Sequence, residues 1–152
     1  MMVAATLFAN YDEGRMKYVK DYYDAISQFY ISLPTPIMAG VRTPTRQFSS
    51  CVLIESGDSL DSINSTATSI VRYISKKAGI GIGTGSVRAA GARVGDGSIV
   101  HTGLIPFLKY FQSAVKSCSQ GGVRGGAATV YLPLWHYEYE DLVVLKNLSL
   151  IH

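Results

Sequence analysis

Apolar residues recur at intervals of three and four along three stretches of the chain, a spacing typical of one face of an amphipathic helix. The pattern predicts helices over residues 15–31, 58–79 and 103–117, and a final helix is predicted over residues 137–146. Pro34 and Pro36 are expected to end the first helix. In the second, Asp58 is the predicted N-cap and Gly79 the predicted end, because both residue types favour those positions.

Short apolar runs between these helices indicate strands, which cover residues 37–39, 48–54, 80–82 and 127–132. Because strands and helices alternate, the expected fold class is α/β, arranged as a sheet or as a segment of a barrel. About four strands are too few to close a barrel. Residues 84–100 are expected to form a glycine-rich loop, and loops of that length are usually functional or mobile.

The composition is that of a folded domain. Of the 152 residues, 47% are hydrophobic and 16% are charged. The net charge of +3 comes from scattered basic residues, so no nucleic-acid partner is expected. We expect no signal peptide, because the apolar start has no basic leader and soon meets Asp12 and Glu13. We expect no membrane partner, since no apolar run approaches the length of a span. Two cysteines do not make a disulfide framework, which favours a cytoplasmic location.

Two features of the first half of the chain could carry chemistry. Cys51 follows Ser49 and Ser50, and its thiol could exchange with a disulfide or donate electrons. The alternative is that Cys51 is a small buried core residue. Glycines alternate through residues 79–85, where backbone N–H groups could bind phosphate. A tightly packed strand followed by a turn explains the same pattern.

Arginines in two glycine-rich loops are candidate phosphate ligands. Arg88 and Arg93 lie in the 84–100 loop, and Arg124 lies between two glycine pairs. A guanidinium can bind phosphate through two hydrogen bonds, although each arginine could instead be an ordinary surface residue. The three histidines show no metal-ligand spacing with each other or with the cysteines, so no metal site is predicted.

Four motifs, in this order, resemble those of a known family. Residues 33–51 read LPTPIMAGVRTPTRQFSSC, and residues 58–63 read DSLDSI. Residues 77–81 read KAGIG, and residues 118–129 read CSQGGVRGGAAT. These motifs are similar to those of the large (catalytic, alpha) subunit of class I ribonucleotide reductase. The resemblance covers nearly the whole chain, residues 2–147.

The resemblance implies a partial ten-stranded α/β barrel, with residues 1–147 as the N-terminal part of the barrel domain and residues 148–152 as a tail outside the family pattern. It implies an enzyme component that converts ribonucleoside diphosphates to deoxyribonucleotides by radical chemistry. Cys51 matches one cysteine of the dithiol that reduces the substrate. The residues that match the substrate site are Thr35, Ser50, Cys51 and Gly79.

The resemblance also implies an allosteric site for a dNTP or ATP effector at a dimer interface. The residues that match this effector site are Asp58, Ser59, Leu60 and Arg88. Residues 118–126 match the specificity loop, which carries the effector signal to the substrate base, with Gln120 and Arg124 as its polar contacts. Bacterial members of the family carry a second arginine where this chain has Gly95, and Arg93 is the candidate to replace it.

The implied partners are the substrate, the effector, a small radical-generating subunit, the remaining part of the large subunit, a thioredoxin or glutaredoxin, and a second copy of the large subunit. No cofactor is expected on this chain, because the family's radical cofactor lies in the small subunit. The family's other redox cysteine and radical cysteine are unmatched, so we expect the chain to need a separately encoded remainder. The alternatives are a non-catalytic deoxynucleotide-binding or assembly fragment, and a nonfunctional remnant.

Overall fold

The structure is a computed structural model that describes residues 1–44, 47–120 and 124–148. The chain divides into two compact units, Met1–Ser50 and Cys51–His152. The helices are α1 (Met2–Leu7), α2 (Arg15–Ser27), α3 (Thr35–Gly40), α4 (Leu60–Ser75), α5 (Ile105–Ser117) and α6 (Tyr139–Leu148). The strands are β1 (Cys51–Glu55), β2 (Gly79–Gly83), β3 (Arg93–Val94), β4 (Ile99–Val100), β5 (Ser119–Gln120), β6 (Arg124–Gly125) and β7 (Ala128–Tyr131).

Aromatic side chains hold α2 to the chain around α1 in the first unit. The ring of Phe8 stacks on that of Tyr18, with centroids 5.7 Å apart. It meets the rings of Tyr11 and Tyr22 edge-on, at 5.3 and 5.5 Å. Such ring pairs stabilise a small unit beyond the burial of their area. The predicted helix over residues 15–31 is confirmed as α2, although it is shorter than predicted.

The predicted strand over residues 37–39 is wrong, because these residues lie in α3. Pro34 is the N-cap of α3 in an extended conformation, and Pro36 stands in its first turn. Proline is favoured there because the first N–H groups of a helix need no intrahelical partner. The two prolines therefore begin a helix instead of bounding a strand.

The predicted helix ends at Pro34 and Gly79 are also wrong. α2 and α4 end earlier, each followed by a non-glycine residue in the left-handed region, Phe29 with φ 61° and Lys77 with φ 71°. In both cases the next backbone N–H donates to the carbonyl five residues earlier, at 2.9 and 3.1 Å. This is the pattern of a Schellman cap, which glycine usually provides.

Three strands of the second unit form a parallel sheet in the order β1–β2–β7. The predicted strands over residues 80–82 and 127–132 are confirmed as β2 and β7, and the strand predicted over 48–54 begins at Cys51. Parallel neighbours need crossover connections, and α4 and α5 lie in these connections. The predicted 84–100 loop contains the hairpin β3–β4, and β5 pairs with β6.

Helices α4 and α5 pack on one face of this sheet. α4 buries a stripe at helical spacing, which consists of Ile63, Ala67, Ile70 and Ile74. The stripe packs with Phe111 and Val115 of α5 and with Ile80 and Ile82 of β2. Fully burying one such isoleucine contributes roughly 1.5–3 kcal/mol. β2 is the central strand of the sheet. The predicted helix over residues 103–117 is confirmed as α5.

The observed fold class is α/β with a parallel sheet, as predicted. Within residues 1–44, 47–120 and 124–148, no helix is both long enough and apolar enough to cross a membrane.

Candidate functional site

The sheet face opposite the helices carries two of the predicted substrate residues, Cys51 and Gly79. They are register partners on β1 and β2. Side chains alternate along a strand, and Ile80 and Ile82 point into the core, so Gly79 and its partner Cys51 belong to the other face. The same two residues line a cavity of about 250 Å³, together with Thr129 and others. The structure therefore brings these two predicted site residues together.

Side chains of the neighbouring strands lie over two glycines of β2, Gly81 and Gly83, on this face of the sheet. A Cβ at Gly81 would lie against Leu53 and 3.0 Å from Cε2 of Tyr131. A Cβ at Gly83 would overlap the carboxylate of Glu55. These neighbouring atoms are the ends of exposed side chains, which could move to admit a Cβ. Both alternatives for residues 79–85, the packed strand and the phosphate site, therefore stay predictions.

Cys51 is exposed at the first position of β1, so the alternative that it is a buried core residue is wrong. A thiol that exchanges with a disulfide must be reachable by its partner, and this position meets that condition. Cys118, by contrast, is half-buried and packs against the hydrophobic core, with the Ser117 hydroxyl 3.8 Å from its sulfur. Cys51 is the better placed of the two cysteines for redox chemistry.

The other two predicted substrate residues lie in the first unit. Thr35 is the first residue of α3 and is exposed, and Ser50 is exposed at the end of the unit. Their grouping with Cys51 and Gly79 stays a prediction.

A second candidate site lies at the other end of the same strands, where Asp58 follows β1 and Arg88 follows β2. The backbone N–H of Arg88 donates to Oδ1 of Asp58 at 2.8 Å, and its Nε donates to Oδ2 at 2.5 Å. Nη2 forms an ion pair with the same Oδ2. Nη1 donates to the backbone oxygen of Arg93 at 2.8 Å. Two of the predicted effector residues are thus in direct contact.

This contact lowers the pKa of Asp58 below its ordinary value of 3.8. Partial burial alone would raise that pKa, because it disfavours the charged form. Hydrogen bonds and the positive charge of Arg88 outweigh burial, and the charge of His101 adds to them. The same pair raises the pKa of Arg88, so both groups are held in their charged forms.

The remaining two effector residues begin α4. The prediction that Asp58 is the N-cap of this helix is wrong, because Ser59 takes that position and accepts the N–H of Ser62 at 3.2 Å. A serine satisfies an early helical N–H as well as an aspartate does. Asp58 is consequently left to bind Arg88. The side chain of Leu60, two residues after Asp58 in the sequence, is 68% exposed.

The predicted specificity loop is described only in part. Ser119 pairs with Gly125, and Gln120 pairs with Arg124, in the antiparallel ladder β5–β6. Residues 121–123 lie outside the described residues. The polar roles predicted for Gln120 and Arg124 stay predictions.

Two residues of the segment after β7, His136 and Glu138, contact the region of Arg88 and were not predicted from the sequence. The carboxylate of Glu138 accepts the backbone N–H of Ala90, and the ring of His136 contacts the carbonyl of Val87. Arg88 and His136 also line a cavity of about 530 Å³. No local spacing marks such contacts, since the partners are 48 and 49 residues apart.

Among the residues that the structure describes, no three histidine, cysteine, aspartate or glutamate side chains converge as a metal site would require.

Family models match both parts of the chain. The model for the ribonucleotide reductase barrel domain matches residues 49–149, and the model for the all-alpha domain of the same enzyme matches residues 1–46. The chain belongs to the ribonucleotide reductase large-subunit family. The predicted resemblance is therefore confirmed, and the division between the two matches falls where the structure changes from one compact unit to the next.

Curated relatives share most of this sequence. The chain is 68% identical to the ribonucleoside-diphosphate reductase subunit alpha of Haemophilus influenzae and 67% identical to subunit alpha of reductase 1 from Escherichia coli, each over 148 residues. It is 62% identical to subunit alpha of enterobacteria phage T4 over 147 residues. Each match covers 97% of this chain but only 19–20% of the relative. The chain thus spans about a fifth of the length of these reductase subunits.

Proposed function

We propose that this chain is one component of a ribonucleoside-diphosphate reductase, in which Cys51 helps to reduce the ribose. The exposed thiol of Cys51, beside Gly79 at a cavity of about 250 Å³, is the observation that carries the proposal. Glycine has no side chain, so a sugar could approach the backbone next to the sulfur. Thr35 and Ser50 are proposed to complete the substrate contacts.

The proposed reaction balances with two thiols. Cys51 and a second cysteine from the rest of the large subunit lose two protons and two electrons and become a disulfide. The 2′-hydroxyl of the ribonucleoside diphosphate leaves as water, and a hydrogen takes its place on the sugar. A thioredoxin or glutaredoxin then reduces the disulfide by thiol–disulfide exchange. The radical cofactor that starts the reaction is proposed to reside in the small subunit, with none on this chain.

The parallel sheet is proposed to be the first part of a ten-stranded barrel. Within the described residues, β1 and β7 each pair on one side only, so both edges can accept further strands. Strands from the rest of the large subunit would then close the sheet around the face that carries Cys51. The domain assignment, with residues 1–147 in the barrel domain and 148–152 as a tail, stays a prediction, whereas the family models divide the chain between an all-alpha domain at residues 1–46 and the barrel domain at residues 49–149.

Asp58, Ser59, Leu60 and Arg88 are proposed to bind a dNTP or ATP effector, at an interface between two copies of the large subunit. The positive charge of Arg88 can bind a phosphate, and the Asp58 carboxylate can accept a hydrogen bond from a ribose hydroxyl. Both residues follow the carboxyl ends of parallel strands, where ligands of α/β proteins usually bind. Gln120 and Arg124 are proposed to carry the effector signal to the substrate base. A cytoplasmic location stays a prediction.

The test is reconstitution with a complementary polypeptide. The chain is combined with the remaining part of an Escherichia coli-type large subunit and with the small subunit, and reduction of a ribonucleoside diphosphate is measured. Wild-type chain should restore turnover, and Cys51→Ser should abolish it without loss of nucleotide binding. Cys118→Ser is the matched control and should remain active, because that side chain packs against the core. Undiminished multiple turnover by Cys51→Ser would remove Cys51 from the redox role.

A second candidate is a non-catalytic fragment that binds deoxynucleotides or assists assembly. The Asp58–Arg88 contact favours it, because that contact forms wholly within the unit Cys51–His152. Nucleotide binding by the chain, combined with no reduction in any reconstituted mixture, would support this candidate over the enzyme component.

A further inference from the structure

Loop 84–104 runs from the end of β2 to the start of α5 and is held at two points by one buried carboxylate. Oε2 of Glu138 accepts the backbone N–H of Ala90 at 3.3 Å and that of Leu104 at 2.8 Å. Glu138 is 7% exposed. A carboxylate at such a site needs hydrogen-bond donors to offset its loss of hydration. The two contacts therefore close the base of the loop.

His136 holds the same loop beside Arg88. Its Nε2 lies 2.8 Å from the carbonyl oxygen of Val87, and its Nδ1 lies 3.2 Å from the backbone nitrogen of Glu138. A carbonyl can only accept a hydrogen bond and a backbone N–H can only donate one. The partners therefore assign the neutral tautomer with its hydrogen on Nε2. In that form His136 donates to Val87 and accepts from Glu138.

Gly103 shows how closely this base is packed. It has a φ of 92°, which favours glycine. A Cβ at this position would overlap the carboxylate of Glu138 and lie 3.0 Å from the Cβ of Ala90. The backbone of the loop thus fits around the Glu138 carboxylate.

These contacts fix the backbone on both sides of Arg88. Val87 is anchored by His136, and Ala90 is anchored by Glu138. We propose that Glu138 and His136 are positioning residues, which hold Arg88 where an effector nucleotide is bound and act on that nucleotide only through loop 84–104. The inference rests on the proposed effector role of Asp58 and Arg88 and adds a regulatory connection to it.

The connection leads toward the substrate side of the molecule. Glu138 follows β7 along the chain, and β7 follows loop 118–126, which is proposed to contact the substrate base. β7 also pairs with β2, which ends where loop 84–104 begins. A shift of β7 would therefore reach Arg88 through hydrogen bonds rather than through solvent.

A purely structural role for Glu138 makes a different prediction. Its carboxylate lies at the N-terminus of α5, where negative charge is favourable, and the N-cap Leu104 has no side-chain cap of its own. If Glu138 served only α5, its loss would reduce the amount of folded protein. The effector concentration that gives half-maximal stimulation would not change, because that quantity does not depend on the amount of active enzyme.

The test uses the chain assembled with the complementary large-subunit polypeptide and the small subunit. The half-maximal concentrations of dTTP, dGTP, dATP and ATP are measured in turn. For the nucleotide that acts, Glu138→Ala should raise this concentration about tenfold, a typical allosteric coupling. Glu138→Gln should restore most of the response, because its amide oxygen can still accept both N–H groups. The exposed neighbour Glu140 provides the control, and Glu140→Ala should behave as wild type.

A double-mutant cycle completes the test. If Glu138 acts through Arg88, Arg88→Lys should raise the half-maximal effector concentration by a smaller factor in the Glu138→Ala background than in the wild-type background. Full additivity, or an unchanged half-maximal concentration in Glu138→Ala, would overturn the positioning role while the effector site stands. A wild-type assembly that responds to none of the four nucleotides would instead overturn the effector site itself. If Glu138→Ala fails to assemble, Glu138→Asp, with its carboxylate withdrawn by one methylene, is judged by the same outcomes.

Discussion

Asp58 binds Arg88 at both the backbone and the side chain, although the two residues lie 30 positions apart in the sequence. One carboxylate oxygen accepts the N–H of Arg88 and the other receives its guanidinium. The contact holds the start of loop 84–104 next to the residues that precede α4. Any ligand that binds the guanidinium of Arg88 must therefore share that group with Asp58 or displace the Asp58 carboxylate.

This geometry predicts that Arg88→Lys weakens nucleotide binding about tenfold, since a lysine offers a point charge in place of a fork of donors. In the structure, Nε and Nη2 of Arg88 contact Asp58 while Nη1 contacts the backbone of Arg93. One ammonium group cannot make all these contacts. Equilibrium dialysis with labelled dNTP measures the effect.

Arg93→Lys tests separately whether Arg93, the candidate to replace the family's second arginine, also binds the nucleotide. Its side chain is exposed, and Arg88 uses only its backbone oxygen. An affinity within about twofold of wild type is expected, as for an ordinary surface change. If Arg93→Lys weakened binding as much as Arg88→Lys, Arg93 would be the substitute for the arginine that the family carries at the position of Gly95.

The Asp58–Arg88 contact also predicts how stability depends on pH. The folded-state pKa of Asp58 lies below 3.8, so ionised Asp58 stabilises the fold. This contribution is complete above the unfolded-state value and is lost as the pH falls through the lowered folded-state pKa. The difference in unfolding free energy between wild type and Asp58→Asn should be constant above about pH 5 and should shrink below pH 3.8.

Urea unfolding at a series of pH values measures this difference. The same comparison in an Arg88→Gln background is the control, because the partner that lowers the pKa of Asp58 is then removed. If the difference in unfolding free energy between wild type and Asp58→Asn stayed unchanged to the lowest pH, the ionised carboxylate would contribute nothing to stability.

The sheet and its helices could be predicted from the sequence because their signals are local. The stripe from Ile63 to Ile74 has helical spacing, and the alternation of glycine and isoleucine in β2 places one face in the core. Such periodic patterns report burial directly. The helix ends were missed where non-glycine residues, Phe29 and Lys77, take the left-handed conformation that glycine usually signals.

The candidate site could be predicted only in part. Cys51 stood out because a thiol has its own chemistry, and the structure adds that it is exposed beside Gly79. Glu138 carries no comparable signal. Its partners are the backbone N–H groups of Ala90 and Leu104, which every residue type except proline possesses. Long-range contacts to the backbone leave no pattern in a single sequence.

The two nitrogens of His136 can be tested separately. In His136→Gln the side-chain amide can take the place of Nε2–H and still donate to Val87, whereas in His136→Asn the amide oxygen can take the place of Nδ1 and accept from Glu138. We expect His136→Gln to retain the wild-type affinity for the effector nucleotide. His136→Asn should lower that affinity about tenfold, because only the bond to Val87 anchors the residue before Arg88. Equal losses in both variants would show that the ring is needed for packing alone.

Adjacent glycines at the end of the specificity loop should differ sharply in their tolerance of a methyl group. A Cβ at Gly126 would overlap the backbone oxygen of Val115 and lie 3.0 Å from two atoms of Ile74, whereas a Cβ at Gly125 would meet no atom within 4 Å. Neither helix can yield easily, because Ile74 and Val115 belong to the shared core. Gly126→Ala should therefore cost about 1–3 kcal/mol of stability, as overpacking does.

Gly125→Ala is the matched control and should change the unfolding free energy by less than about 0.5 kcal/mol. Denaturant unfolding of both variants measures the contrast. In the reconstituted enzyme, Gly126→Ala should also alter the response to effector, since the methyl group would push the backbone at Gly126 away from α5. Equal stabilities for the two variants would mean that Gly126 does not pack against Val115 and Ile74.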